Sequence, residues 1–568
     1  MPDFDLVIRA GTIVDGSGGP SRQADVGIVG DRIVAVGTRL AAGREEIDAR
    51  GLLVTPGFVD VHTHFDGQAT WDARLWPASQ HGVTTAVMGN CGVGFAPCRP
   101  ADRETLIELM EGVEDIPGSA LAEGLAWDWE SFPQYLDALA RRPRDIDIAA
   151  LLPHGPLRVY AMGERAVRRE AASAEELAAM QRLVREGLAA GAVGLSTSRT
   201  MAHRTKRGEH TPTFEAAREE LVGLGRALAG HPSAVFQMIS DFDEPEAEFD
   251  ILRRVCRETG CAGTLTVVQY DHKPRFHEQL LDMIARANAD GERITGQVIG
   301  RPVGVLLGFD TSLNPFSCRP AYVPLADLPI AERIARLRRP EVREAILSQA
   351  DHEPHVFMQY YGQAFGRMFP LDGDQPDYLP PPSASVAARA ERAGREPAEW
   401  LYDYLLEGDG TALVYLPMAN YSDSDGSAIE TLLSHPHTVP ALGDGGAHVG
   451  TICDASATTF LLTEWVRRRR VFTLEQAVHM LTQRPAALYG LHDRGRIAPG
   501  LKADINLIDF DALALGRPTM VRDLPAGGRR FLQAARGYRA TLVSGHLTYR
   551  DGVAGAALPG RLVRGVAG

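Results

Sequence analysis

The sequence has no apolar run approaching the ~20 residues of a membrane span. Its first residues, "MPDFDLVIRAGTIVDG", carry neither the basic nor the apolar stretch of an export signal. A cytoplasmic protein without a membrane partner is expected. Cysteine is scarce, at six in 568 residues, and neither Cys91/Cys98 nor Cys256/Cys261 belongs to a paired CxxC set. That excludes a zinc-finger scaffold and argues against a disulfide framework. Positive charge is also in deficit: a net charge of -14 argues against a polyanionic partner such as nucleic acid. The one basic run, "WVRRRRVF" at 465–472, reads as a solvated helix face. A homo-oligomer is compatible with this composition.

What is present is a large supply of core-forming residues, 45% apolar against 23% charged. Eight β-branched or apolar runs recur, at 57–64, 84–91, 147–154, 191–198, 234–240, 264–272, 293–301 and 438–446, most followed by a helix-like stretch. Repeated βα alternation predicts an α/β fold, a (β/α)8 TIM-like barrel. "SAEELAAMQRLVREGLAAG" (173–191) predicts a helix from its capping box, Ser173 with Glu176, and from the helical spacing of Leu177, Met180, Val184 and Leu188. Short strand-like pieces with Gly and Asp turns fill 4–55 and 496–550, which predicts one small β-sandwich domain built from both chain ends. The expected organisation is 1–55 plus 490–568 as that domain and 56–489 as the barrel. The span 302–436, too long for a loop, forms a lid or wall with structure of its own.

Chemistry is expected where barrel strands end. In "DVHTHFDG", period two puts Asp60, His62 and His64 on one face, opposite Val59, Val61 and Thr63. Alone, HxH reads more readily as two satisfied core histidines than as a metal pair, at about two to one. The other runs end in Cys91, His154, Ser196/Ser198, Gln237, Asp271/His272, Arg301 and Asp444, and polar groups converging on one mouth are expensive to bury unless they bind something. Asp444 is the natural general base. Bulk water has a pKa near ~15.7 and zinc brings it to about 7, which removes roughly 12 kcal/mol of mismatch with a carboxylate. His154 could bond a leaving group or a loop carbonyl, Arg301 could hold a substrate carboxylate or pair with a helix, and His448 lies where it could line the pocket.

The ordered motifs "GLLVTPGFVDVHTHFDG", "HGVTTAVMGNCGVGFAP", "PHGPLRVYAMGERA", "GLAAGAVGLSTS", "GDGGAH" and "GRIAPGLKADINLIDFD" resemble the amidohydrolase superfamily and, within it, the N-acyl-D-amino-acid deacylases (D-aminoacylases). The resemblance implies a zinc-dependent hydrolase cleaving the amide of a small N-acyl amino acid. It implies His62 and His64 as first-strand metal ligands, Cys91 as a thiolate ligand, Asp444 as the acid that binds metal or water and moves the proton, and Lys273 as a contact to the substrate carboxylate. Two positions depart from the family pattern, which has histidine ligands at the ends of strands five and six. Gln237 stands at the first; at the second, "YDHK" offers Asp271, with His272 facing the other way in a regular strand. Because a neutral glutamine is a poor zinc ligand and aspartate an acceptable one, one Zn2+ on His62, His64 and Asp444 with Cys91 near or bound is preferred over two ions with Asp271 or His272 helping. A hydrolase of cyclic amides or lactones and a metal-free scaffold remain the alternatives.

Overall fold

The computed structural model describes residues 3–352, 358–359 and 362–565. The N-terminal segment lays down β1 (Phe4–Ile13), β2 (Arg22–Val29), β3 (Arg32–Gly37), β4 (Gly43–Asp48) and β5 (Leu53–Pro56). The barrel strands then follow: β6 (Phe58–Asp60), β7 (Val83–Met88), β8 (Asp147–Ala150), β9 (Leu152–Pro153), β10 (Gly194–Arg199), β11 (Val235–Ser240), β12 (Ala262–Thr266) and β13 (Ile294–Val298). After them come β14 (Val303–Leu307), β15 (Phe369–Pro370), β16 (Val414–Ala419) and the last barrel strand, β17 (Thr438–Pro440).

All eight runs fall on one closed ring. β6, β7 and β8 pair in parallel, as do β9, β10, β11, β12, β13 and β17 in that order. β8 and β9 are one run, bonded to its neighbours through Leu151 N to Met88 O at 2.9 Å and Val193 N to Ala150 O at 2.9 Å. The ring closes just past β17 and β6, where Asp444 N donates to His62 O (3.2 Å) and His64 N to Gly445 O (2.8 Å). One apolar cluster takes a residue from every segment of the ring, including Val59, Val87, Ala149, Val193, Val235, Ala262, Ile299 and Val439, and fills the interior. The capping-box helix forms at Ala174–Ala189, with Glu176 N on Ser173 Oγ at 3.2 Å and Ser173 N on Glu176 Oε2 at 2.7 Å.

After the barrel, β18 (Ile505–Ile508), β21 (Tyr538–Val543), β22 (His546–Arg550) and β23 (Val553–Ala554) join β1–β5 in one nine-stranded sheet. Its two halves meet at the antiparallel pair β5/β18, Val54 opposite Leu507. The hairpin of β19 (Ala514–Leu524) and β20 (Gly528–Arg536) does not enter that sheet. It lies against the barrel instead, with Phe531 N on Val449 O at 2.7 Å. The insertion builds an antiparallel sheet, β14-β16-β15, over a separate apolar cluster that includes Phe309, Phe316, Ile334, Leu337, Leu401 and Tyr402. No helix among the described residues is long and apolar enough to cross a membrane.

Candidate metal centre

β6 ends at Asp60, so the expected alternation does not run through His64. While strand geometry lasts the inner face belongs to the valines: Val59 and Val61 lie in the interior cluster. The Asp60 carboxylate then accepts from His62 N at 3.1 Å, a local turn that swings both imidazoles into the cavity by another route.

Three ligand atoms, one each from His62, His64 and Cys91, lie within 4.8 Å of one another, and all three residues are buried. His62 Nε2 is 3.2 Å from Cys91 Sγ and 3.6 Å from Asp444 Oδ1, and His64 Nε2 is 3.8 Å from the same oxygen. Donors on a tetrahedral zinc, at about 2.0–2.3 Å from the ion, sit roughly 3.3–3.6 Å apart, so these separations suit the edges of a coordination shell. Among the described residues, Asp444 Oδ1 is sealed from solvent without a hydrogen-bond partner, while His64 Nδ1 and Glu114 Oε1, equally sealed, face each other at 3.2 Å. An orphaned carboxylate oxygen beside two imidazoles and a thiolate-capable sulfur fits a resident cation.

The surroundings orient the donors. His62 Nδ1 lies 2.6 Å from Gln297 Oε1, and because that oxygen only accepts, the proton sits on Nδ1 and the Nε2 lone pair is free for a metal. His64 Nδ1 faces Glu114 Oε1 at 3.2 Å. Cys91 N donates to Gln237 Oε1 at 2.9 Å. Cys91 and Asp444 both hold left-handed backbones, φ +56° and +46°, a strain of order 1–3 kcal/mol each of the kind concentrated at functional sites. Burial pushes the Asp444 carboxyl up to about 7 and holds His62 down to about 4, the latter against its bond to Gln297. The Cys91 thiol is driven well above its ordinary value, first by burial and then by Glu114, Asp444 and Asp66. A cation among these groups would oppose the shifts of the carboxyl and the thiol.

Asp271, expected as a metal ligand, is engaged elsewhere. β12 stops at Thr266, so strand alternation never reaches residue 271. Its carboxylate accepts from Ser422 Oγ at 2.7 Å and pairs with Arg367 Nη1 at 2.9 Å. His272 is exposed, its ring 5.5 Å from that of Tyr270. Lys273 Nζ pairs with Asp243 Oδ1 at 3.2 Å and donates to Asp241 O at 3.3 Å. His154 is spent structurally, Nδ1 on Thr197 Oγ1 and Nε2 on Glu220 Oε1, both at 2.9 Å; Thr197 takes the opposite side of β10 from Ser196. Arg301 is sealed by Asp454 (3.2 Å), Ser456 Oγ (2.7 Å) and the Tyr378 ring (3.6 Å), which leaves no group for a substrate. His448 lies beside these groups, its Nε2 3.6 Å from Glu114 Oε2. Gln237 serves the ligand loop with its oxygen, and its Nε2 is buried without a partner among the described residues.

Sequence reasoning passed over Gln297 and Glu114. Gln297 lies two positions before the inner-cluster residue Ile299, so period two from an inner residue would have found it. Glu114 ends the helix Arg103–Glu114, outside any strand end, and nothing local marks it.

A family model described as "Amidohydrolase family" matches residues 45–549. The chain is 29% identical over 577 residues to the N-acyl-D-aspartate deacylase of Alcaligenes xylosoxydans xylosoxydans, covering 98% of this chain and 95% of that one. It is 31% identical over 525 residues to the N-acyl-D-glutamate deacylase of the same organism, with 90% and 88% covered. Among solved structures it is similar to an N-acyl-D-glutamate deacylase from Bordetella bronchiseptica, complexed with zinc and a phosphonate inhibitor that mimics the reaction's tetrahedral intermediate. There the TM-score is 0.64 and the identity 25%, with 99% of each chain covered.

Proposed function

We propose, for a chain that belongs to the amidohydrolase family and within it to the N-acyl-D-amino-acid deacylases, that it hydrolyses the amide bond of an N-acyl amino acid with one zinc ion as resident cofactor. The observation that carries the reading is the convergence of His62, His64 and Cys91, with Asp444 Oδ1 3.6 and 3.8 Å from the two imidazoles.

His62, His64 and Cys91 would hold the ion, with Asp444 at its edge. Bound there, zinc supplies Lewis acidity toward an amide carbonyl and toward water. Gln297 keeps His62 in the tautomer that presents Nε2, and Glu114 stands behind His64 in the same manner. Asp444 accepts a proton from the attacking water at its carboxylate and returns it to the amine nitrogen as the C–N bond breaks. A single ion is favoured because Gln237 Oε1, the one side-chain oxygen of that residue, already accepts from Cys91 N, and Asp271 is held by Arg367 and Ser422. Both relatives are named for D-configured acidic substrates, so that series is the first to assay.

The test is metal analysis of the purified chain together with turnover on N-acyl-D- and N-acyl-L-amino acids, hydantoins and lactones. The expected result is one equivalent of zinc and release of free amine from an N-acyl amino acid. A zinc-free chain that zinc does not activate, or turnover confined to cyclic substrates, would overturn it.

A further inference from the structure

Ser196 and Ser198 lie on the same side of β10, and Ser196 defines that side. Its Oγ accepts from Gly92 N, next to Cys91, at 3.0 Å and donates to Gly89 O. Ser198 is one step, about 6.6 Å, nearer the carboxyl-end mouth, and its Oγ meets His203 Nδ1 at 2.8 Å. The loop carrying His203 is pressed onto the helix Arg103–Glu114: Lys206 N donates to Glu108 O at 3.1 Å, and a methyl group on Gly112 would run into the backbone of Arg204, Thr205 and Lys206. The imidazole is thus fixed from the strand and from the helix. Ser198 Oγ makes no second hydrogen bond among the described residues, so its hydroxyl is free to donate to Nδ1. With Nδ1 accepting from that hydroxyl, the ring proton lies on Nε2, for which no protein partner is found among the described residues.

The geometry points to His203 as a catalytic residue: a neutral imidazole whose Nε2–H donates to the carbonyl oxygen of the scissile amide as that oxygen gains charge in the transition state. The inference rests on the amide-hydrolase reading above. Burial first, then His448 and His62, hold the His203 imidazole down to about 3, so the ring is uncharged at neutral pH.

His203→Ala and His203→Gln, both zinc-loaded, provide the test. His203→Ala should lower kcat by about 100- to 1000-fold with KM changed less than about threefold, zinc content unchanged, and affinity for a phosphonate analogue of the substrate reduced in parallel with kcat. His203→Gln keeps an N–H donor and should recover part of the loss. Gly112→Ala, remote from substrate, should reproduce a milder version by shifting the loop. A kcat for His203→Ala within fivefold of wild type, or loss of zinc along with the side chain, overturns the proposal. Histidine 15N NMR of the unliganded protein at pH 7 is independent of turnover. The neutral Nε2–H tautomer supports the assignment, and the Nδ1–H tautomer or an imidazolium refutes it. A wild-type enzyme inert to every N-acyl amino acid refutes the functional reading alone; phosphonate affinity and the tautomer then decide His203.

Discussion

The two ends of the barrel both bury charge, but they treat it in opposite ways. At the end away from the metal centre, Asp147 Oδ2 accepts from Arg494 Nη1 (2.6 Å) and Lys502 Nζ (2.7 Å), its Oδ1 accepts from Arg561 N (2.8 Å), and Lys502 also meets Asp504 at 2.9 Å. At the mouth, Asp444 Oδ1, Gln237 Nε2 and Gln297 Nε2 have no hydrogen-bond partner among the described residues, and Glu114 Oε1 and His64 Nδ1 have each other at 3.2 Å. Saturated charge locks the terminal sheet to the barrel floor, whereas unsaturated charge waits for something the chain does not itself supply. The mouth gives up stability for binding, as barrel enzymes divide their two faces.

Three substitutions break or sharpen that contrast. Asp444→Asn should reduce kcat by on the order of 1000-fold with fold and zinc content kept. In metal-free protein it should also raise stability at pH 8. A carboxyl whose folded pKa is about 7, against an ordinary 3.8, takes stability away as pH rises from about 4 to 7 and leaves the penalty complete above 7. Urea unfolding in chelator should therefore show a gain at pH 8, bounded by about 4 kcal/mol, that vanishes near pH 4. Asp147→Ala, at the other end, should cost about 3–5 kcal/mol by stranding Arg494 and Lys502, seen as a lower urea midpoint, with kcat per folded molecule unchanged. Gln297→Leu should be the mildest: zinc affinity, read by competition with a chelator, falls about 10- to 100-fold as His62 loses its tautomer lock. If Asp147→Ala impaired turnover as strongly as Asp444→Asn, the division of labour between the two ends would be wrong.

The eight barrel strands were legible because each is a short apolar run with punctuation, and the composite sheet because alternation and turn residues repeat at both ends. The convergence of His62, His64, Cys91, Asp444 and His448 on one mouth was legible because they are polar residues at run ends or in the loop just beyond. Asp271 misled because period two was extended past Thr266, where the strand has ended, and whether a strand continues is decided by pairing with neighbours. His154 and Arg301 misled for a related reason: a polar residue at a strand end can turn toward the helical layer, where Glu220 and Asp454 await them. Glu114 was invisible, since its approach to His64 depends on how a helix packs over the mouth, a tertiary fact with no local period.

The pairing of β5 with β18 sets a timetable for the molecule's birth. Val54 and Leu507 are some 450 residues apart. At about 5–20 residues per second, ribosomal synthesis leaves β5 without that partner for on the order of 20–90 s. Throughout that interval the N-terminal strands present an open, hydrogen-bonding edge. Crowded expression should thus penalise nascent chains, whose first fifty residues wait for nearly the last, more than it penalises the finished enzyme.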